Sequence, residues 1–464
     1  MKNNYFNHFN YCNSLKDALA HKKRCLFLLV FLLCLTFGYA QNLSLDSCQA
    51  LALRNNVATK NAVLDVAAAR EVKKQLFTKY FPNVSITAAG YHALNPMIEY
   101  DIDDIESAAA RQLLHDLYFE YGAGLGLPNS ISLCENGVMV GATAVQPLFM
   151  GGQIVNGNKL ANVGVQAAEL QSSLTQEQLS LQVEEAYWLV VSLQQKKLTL
   201  QQALTFLDTL YRDVTIALDA GLVTQNDQLK VTLKQNEMRS NKLKVDNGIA
   251  LATMALCQMI GVPYSENIIL TDTLASTART TNNVDPTAAV RSRKEAQLLN
   301  LNVEAEQLRK KITLGETLPH LMIGAGASYG NPIFEKYSAN GLVFAMLQVP
   351  LTSWWETSHK LKQQNYVIQK AENQRTDLMQ KMELETQQAL NNVHESAAQI
   401  ELMEATVHDA EVNLQSVKSN YEAGMVAISD LLEAQTLYRQ AQDQLTDARI
   451  DYRLKCAKLE MITK

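Results

Sequence analysis

From Val393 to Tyr421 apolar side chains recur every seven residues, at Val393, Ile400, Val407, Leu414 and Tyr421, with Met403, Ala410 and Val417 between them. After Ala423-Gly424 the rhythm resumes as Leu431, Tyr438, Leu445 and Tyr452, alternating with Ala434, Ala441 and Ala448. This is coiled-coil spacing, and the alanines let two helices approach closely. The pattern predicts a long helical hairpin whose tip is marked by Gly424, since glycine takes the left-handed angles of a helix end without steric cost. A second hairpin is predicted around Ala220-Gly221. Its outward arm, residues 155–217, would span roughly 95 Å at about 1.5 Å per residue.

The two hairpins are copies of one unit. Pro147 and Pro350, Gly221 and Gly424, and Asp227 and Asp430 all stand 203 positions apart. Upstream, Pro82 and Pro319 are related by 237, so the first copy carries an insertion of 34 residues between Pro82 and Pro147. Three segments follow: a leader at 1–40, a first repeat at 41–285 and a second at 286–464. Each repeat should open with a helix, Leu45 to Tyr80 or Pro286 to Thr317, stopped by its proline. A strand pair comes next, Val84–Tyr91 with Gly137–Leu148 and Leu321–Tyr329 with Gly341–Leu351, and the strand-ending prolines lead into the hairpin. The insertion, 97–136, carries an acidic run (Asp101, Asp103, Asp104, Glu106) and a helix expected over Ser107 to Glu120. The run reads as a solvated surface.

The strands are small-residue-rich and only weakly alternating, as strands that cross a lipid bilayer obliquely are. Four strands cannot close a barrel, and an open edge in lipid would strand backbone polar groups, so the chain must oligomerise. A cyclic trimer would supply twelve strands. Phe149, Trp354 and Trp355 fall at the strand-to-helix junctions, where aromatic rings suit a membrane interface or a packed domain junction.

Lys22-Lys23-Arg24 before an apolar run to Phe37, with Gly38-Tyr39-Ala40 after it, has the layout of a cleaved secretory signal. Residues 1–40 hold five basic residues and one acidic, so their removal takes the formal charge from −6 to −10. That balance argues against nucleic acid as a partner. Cys48, Cys134, Cys257 and Cys456 remain, too dispersed for a metal site, with Cys257–Cys456 pairing or buried free thiols both open.

Enzyme motifs fail individually. His394-Glu395 lacks the second histidine of a zinc protease, because residue 398 is Ala. The glycines of Gly324–Gly330 do not have dinucleotide-binding spacing. There is no phosphate-binding P-loop, so any pumping energy must come from a partner. No catalysis, cofactor or metal is expected.

Residues 419–460, with Tyr-Glu-Ala-Gly at 421–424 and Asp-Leu-Leu-Glu-Ala at 430–434, resemble the TolC family of outer-membrane efflux proteins. So do Leu43–Asn56, Val145–Gly152 and the first tip. The resemblance implies a homotrimer with a twelve-stranded barrel in the outer membrane of a Gram-negative bacterium and an α-helical barrel in the periplasm. It implies an exit duct for tripartite drug efflux, with type I protein secretion as the alternative, served by a periplasmic adaptor and an inner-membrane pump of RND, ABC or MFS type. The adaptor would dock on Gly221-Leu222-Val223 and Gly424-Met425-Val426. Tyr421, Asp430 and Glu433 match the family's entrance gate, while Val426 stands where an arginine is expected. By three-fold symmetry Asp430 and Glu433 become rings of carboxylates that would favour cations, with Asp227 either joining them or capping its own helix. Because tyrosine and the second carboxylate occur only in the second tip, the first reads as docking surface and the second as gate. A secreted coiled-coil adhesin is the reading from a different class.

Overall fold

The computed structural model describes residues 42–95, 98–122, 130–133, 136–266, 268–274, 285–331 and 337–463. The leader at 1–40 and Cys134 lie outside these. The chain divides into two compact units, one built from residues up to Lys60, Thr175–Ala289 and Leu384–Lys464, the other from Asn61–Leu174 and Val290–Glu383.

The second of these units holds an antiparallel sheet. Its strands are β2 (Asn83–His92), β5 (Asn136–Met150), β7 (His320–Gly330) and β8 (Ser338–Gln348), hydrogen-bonded in that order, after the short β1 (Asn42–Leu43) of the other unit. Every residue of β2 is exposed, as are all but one of β8. Ile86 is 77 % exposed and Val343 82 %, so strongly apolar side chains stand uncovered on the edge strands. Helices adjoin one end of the sheet. The insertion joins β2 to β5 at the other, as a strand pair, β3 (Ile98–Asp101) and β4 (Ser130–Leu133), enclosing a helix. That helix, α3 (Ala108–Leu117), is shorter than expected and runs into a turn of wider helix over Tyr118–Gly122.

Two sequence expectations are corrected here. Pro147 does not end its strand: β5 continues through a register shift between Pro147 and Phe149 to Met150. The strand tolerates proline there because β2 pairs only as far as Val145, leaving Pro147 on a locally unpaired edge. On the return strand of the second copy the limits move the other way, to Ser338–Gln348, because Pro350 lies past its end.

The predicted opening helices are each broken once. The first becomes α1 (Leu45–Asn55) and α2 (Val57–Phe77), the second α6 (Pro286–Ser292) and α7 (Lys294–Gly315). The breaks, at Asn56 (ψ 141) and Arg293 (ψ 138), keep the 237-residue offset of the repeat. Asn56 turns because its amide is used twice: Oδ1 accepts from Ala58 N–H at 2.8 Å and Nδ2 donates to the Met259 carbonyl at 2.9 Å.

The first unit contains the tip-bearing parts of the hairpins, from Thr175 and from Leu384 onward. Helices α4 (Gln153–Asp219) and α5 (Gln225–Ile260) form one pair, α8 (Ser353–Glu422) and α9 (Ile428–Thr463) the other. The seven-residue stripe is buried or half-buried throughout, from Val393 at 1 % exposure to Ala434 at 2 % and Ala441 at 3 %. Cys48, Cys257 and Cys456 are free, buried thiols, which removes the Cys257–Cys456 disulfide from the two open readings. None of the described helices is long and apolar enough to cross a membrane.

One anchor ties the start of the described chain into this unit. The β1 strand pairs in parallel with β6 (Ile269–Leu270), and the buried Tyr187 sits beneath them. Its hydroxyl donates to the Leu43 carbonyl at 3.1 Å and accepts from Asp272 N–H at 3.2 Å, while Asp272 Oδ2 accepts from Leu45 N–H at 2.8 Å. Burial pushes the phenol well above its ordinary range, so it remains a donor at any physiological pH. Tyr187→Phe leaves the Asp272 N–H without this acceptor and should cost about 1–3 kcal/mol. A lower unfolding temperature by calorimetry is expected; an unchanged one would show that the anchor contributes nothing.

Candidate functional site

The two helical tips are the same structure written twice. Helix α4 ends at Asp219 and α8 at Glu422; α5 begins at Gln225 and α9 at Ile428, each pair 203 residues apart. At the first tip Gly221 has φ +74, its N–H donates to the Leu218 carbonyl at 2.9 Å, and Leu222 N–H reaches back to Ala217 at 2.8 Å. At the second, Gly424 has φ +71, donating to Tyr421 at 2.9 Å, and Met425 N–H reaches Asn420 at 2.8 Å. This pair of crossed bonds satisfies the last carbonyls of a helix and requires a residue at positive φ.

The turn then sorts its apolar residues. Leu222 and Met425 project into solvent at 79 % and 68 % exposure. Val223 and Val426, one position on, are half-buried. Val223 packs against a core of Leu207, Leu210, Val214, Val231, Ile428 and Leu431 beneath the tips.

Both aspartates cap their return helices. Asp227 Oδ2 accepts from Thr224 N–H at 3.2 Å and from its hydroxyl at 2.7 Å, and Thr224 Oγ1 accepts from Asp227 N–H at 3.3 Å, a reciprocal capping box. Asp430 Oδ2 accepts from Ala427 N–H at 3.3 Å, but Ala427 has no hydroxyl to return the bond. The Thr224 hydroxyl, with Lys230 Nζ at 3.3 Å, holds the Asp227 carboxyl below the usual range. The charged cap is therefore complete above the ordinary aspartate range and is lost only as pH falls beneath it. Asp430 and Glu433 are exposed.

A groove of about 820 Å³ runs between the tips, lined by both. Tyr421, Val426 and Lys418 come from the second, and Asp213, Thr224 and Asp227 from the first. Burial, then the carboxylates of Asp227 and Asp213, push the Tyr421 phenol upward. The tyrosine thus answers to acids of the first tip rather than to Asp430 or Glu433 of its own. Val426, at the position where the resemblance leads one to expect arginine, lines the same groove as Asp227. The cation bonded to Asp227 is instead Lys230, one helical turn along. The sequence reading missed Asp213, Lys418 and Lys230. Only the Thr224-x-x-Asp227 capping spacing carried a local signal.

At the strand-to-helix junctions Trp354 Nε1 donates to the Thr317 carbonyl at 3.1 Å while its ring stays 54 % exposed. Trp355 is 78 % exposed and Phe149, inside β5, 48 %. Among the described residues no group of histidine, cysteine, aspartate and glutamate could hold a metal ion.

Residues 285–463 match the sequence profile of the outer membrane efflux protein family. The outer membrane protein TolC of Vibrio cholerae is 22 % identical over 302 residues, covering 63 % of this chain and 69 % of TolC. Among solved structures the outer-membrane channel OprN superposes with a TM-score of 0.75 at 12 % identity, over 90 % of this chain and 89 % of its own. The Campylobacter jejuni CmeC outer membrane channel gives 0.73 at 13 %, over 90 % and 85 %. VceC of Vibrio cholerae gives 0.70 at 16 %, over 90 % and 96 %. Residues 285–463 thus match the outer membrane efflux protein family by profile, and over nine-tenths of its length the chain has the fold of TolC-like outer membrane channels.

Proposed function

We propose that this protein is the passive exit duct of a tripartite efflux system, a homotrimer that carries small molecules delivered by an inner-membrane pump through a periplasmic adaptor to the outside. One observation carries the reading: a four-stranded sheet whose open edge strands, β2 and β8, are exposed on both faces. Such a sheet is stable in lipid only when its edges close on other copies, and three copies give a twelve-stranded barrel. Lipid covers the outer face. The adaptor docks on the tips, where Leu222 and Met425 are presented on matched turns. The duct performs no catalysis.

Three-fold repetition turns Asp430 and Glu433 into carboxylate rings at the tip end of the helices. Exposed like charges around a constriction attract cations and repel one another. Asp430→Asn with Glu433→Gln should reduce cation selectivity and divalent-ion block in planar bilayers. The asparagine keeps an oxygen for the Ala427 N–H, so the cap survives and the change reports charge alone. Selectivity and block equal to those of the unaltered trimer would count against the rings.

A further inference from the structure

The insertion helix α3 is fastened by its polar side. Arg111 Nε and Nη2 both donate to the Ile105 carbonyl, at 2.9 and 2.7 Å, and His115 Nε2 lies 2.7 Å from Asp103 Oδ1. These residues, one turn apart, hold the helix on the acidic turn that precedes it. Its apolar residues are left outside: Leu113 is 62 % exposed, Leu114 41 % and Leu117 47 %. An apolar stripe of this kind on a short helix marks a surface that is covered in use.

Two observations choose the occupant. A helix that lies on lipid carries lysines and arginines on its polar face. Residues 97–136 hold eight acidic residues and a single basic one, Arg111, whose guanidinium is already bonded. A lipid surface is therefore a poor partner. The insertion also leaves the sheet from β2, an edge strand, so in the closed barrel it hangs over the seam with the next copy. Of the carboxylates of 101–106, Asp103 is held on the fastened side by His115, away from the leucines.

We propose that α3 is a contact between copies of this chain outside the membrane, packing Leu113, Leu114 and Leu117 of one copy against the insertion of its neighbour. The proposal rests on the trimeric reading above. In a Cys134→Ser background, which leaves only buried native thiols among the described cysteines, Leu113→Cys and Leu117→Cys trimers are treated with a short thiol cross-linker, with Glu106→Cys as the control. Native mass is measured first. Covalent dimers of the chain are expected in about tenfold or greater excess over the Glu106→Cys control, because neighbouring thiols in one assembly meet at high effective concentration. Intact trimers without cross-linked chains at either leucine position would overturn the α3 contact alone, as would cross-links only to another protein. A monomeric native mass would overturn the trimer and the contact together.

Discussion

Gly151→Ala should abolish assembly in the outer membrane. Gly151 directly follows β5 at φ +59, where its backbone lies against that of Gly315 at the end of α7. A Cβ placed on Gly151 would stand 2.1 Å from the Gly315 carbonyl oxygen and 2.9 Å from its carbon. The obstruction is backbone, which cannot swing aside as a side chain can. Left-handed geometry adds about 1–2 kcal/mol for a residue with a Cβ. The approach is reciprocal, since a Cβ on Gly315 would lie 2.6 Å from the Gly151 oxygen. Relief requires β5 and α7 to separate at the point where sheet passes into helix, and that junction positions the edge of the barrel. Two controls separate clash from strain. At Gly152 (φ +77) the added carbon meets only Asn156 Nδ2 at 3.4 Å, so Gly152→Ala should cost about the left-handed penalty and still assemble. At Gly157, inside α4, nothing lies within 4 Å, and alanine should stabilise by up to about 1 kcal/mol through helix propensity. Heat-modifiable trimers in outer-membrane fractions are the readout. Gly151→Ala trimers at normal level and stability would sink the close-approach account.

The same junction marks where the repeat stops being legible. Helix boundaries at the tips keep the 203-residue offset, because the buried seven-residue stripe and the glycine turn fix both ends locally. At the sheet junction α4 starts at Gln153 and α8 at Ser353, only 200 apart, so Trp354 and Trp355 lie within a first helical turn where the first copy has Gly151-Gly152 in a positive-φ turn. A sequence alignment pairs these residues; the backbone does not. The breaks at Asn56 and Arg293 were invisible for a related reason. Neither is a helix breaker, and Asn56 turns where its amide both accepts from Ala58 N–H and reaches a carbonyl of α5, a partner distant in sequence. The groove between the tips was the least legible feature. Asp213 and Lys418 line it, yet their counterparts at the repeat offset are Ser416 and Thr215, so no internal echo singled them out. What chemistry meets across two hairpins depends on helix rotation, which a periodic pattern leaves free.

Gly424→Trp should remove efflux-dependent resistance while leaving trimers intact. The position separates docking from folding because the tip is built in two layers. Below it, Leu210, Val214, Val231, Ile428 and Leu431 form a core that Gly424 does not enter. Above it is open space: a Cβ on Gly424 meets nothing within 4 Å. An indole there projects alongside the exposed Met425, into the surface we assign to the adaptor. The cost to the chain itself is the left-handed backbone at φ +71, about 1–2 kcal/mol, confined to a turn whose neighbouring helices are held elsewhere. Gly424→Ala carries that same backbone penalty without the bulk and should therefore keep most resistance. The comparison decides between two mechanisms. If docking is blocked, tryptophan falls to the level of a strain lacking the protein and alanine does not. If instead the strained turn collapses, both variants fail together and their trimers soften on heating. Full resistance with tryptophan would mean that the adaptor does not seat on this tip. The equivalent change at Gly221, where the turn has φ +74 and equally open space, should then show whether the two tips are used alike.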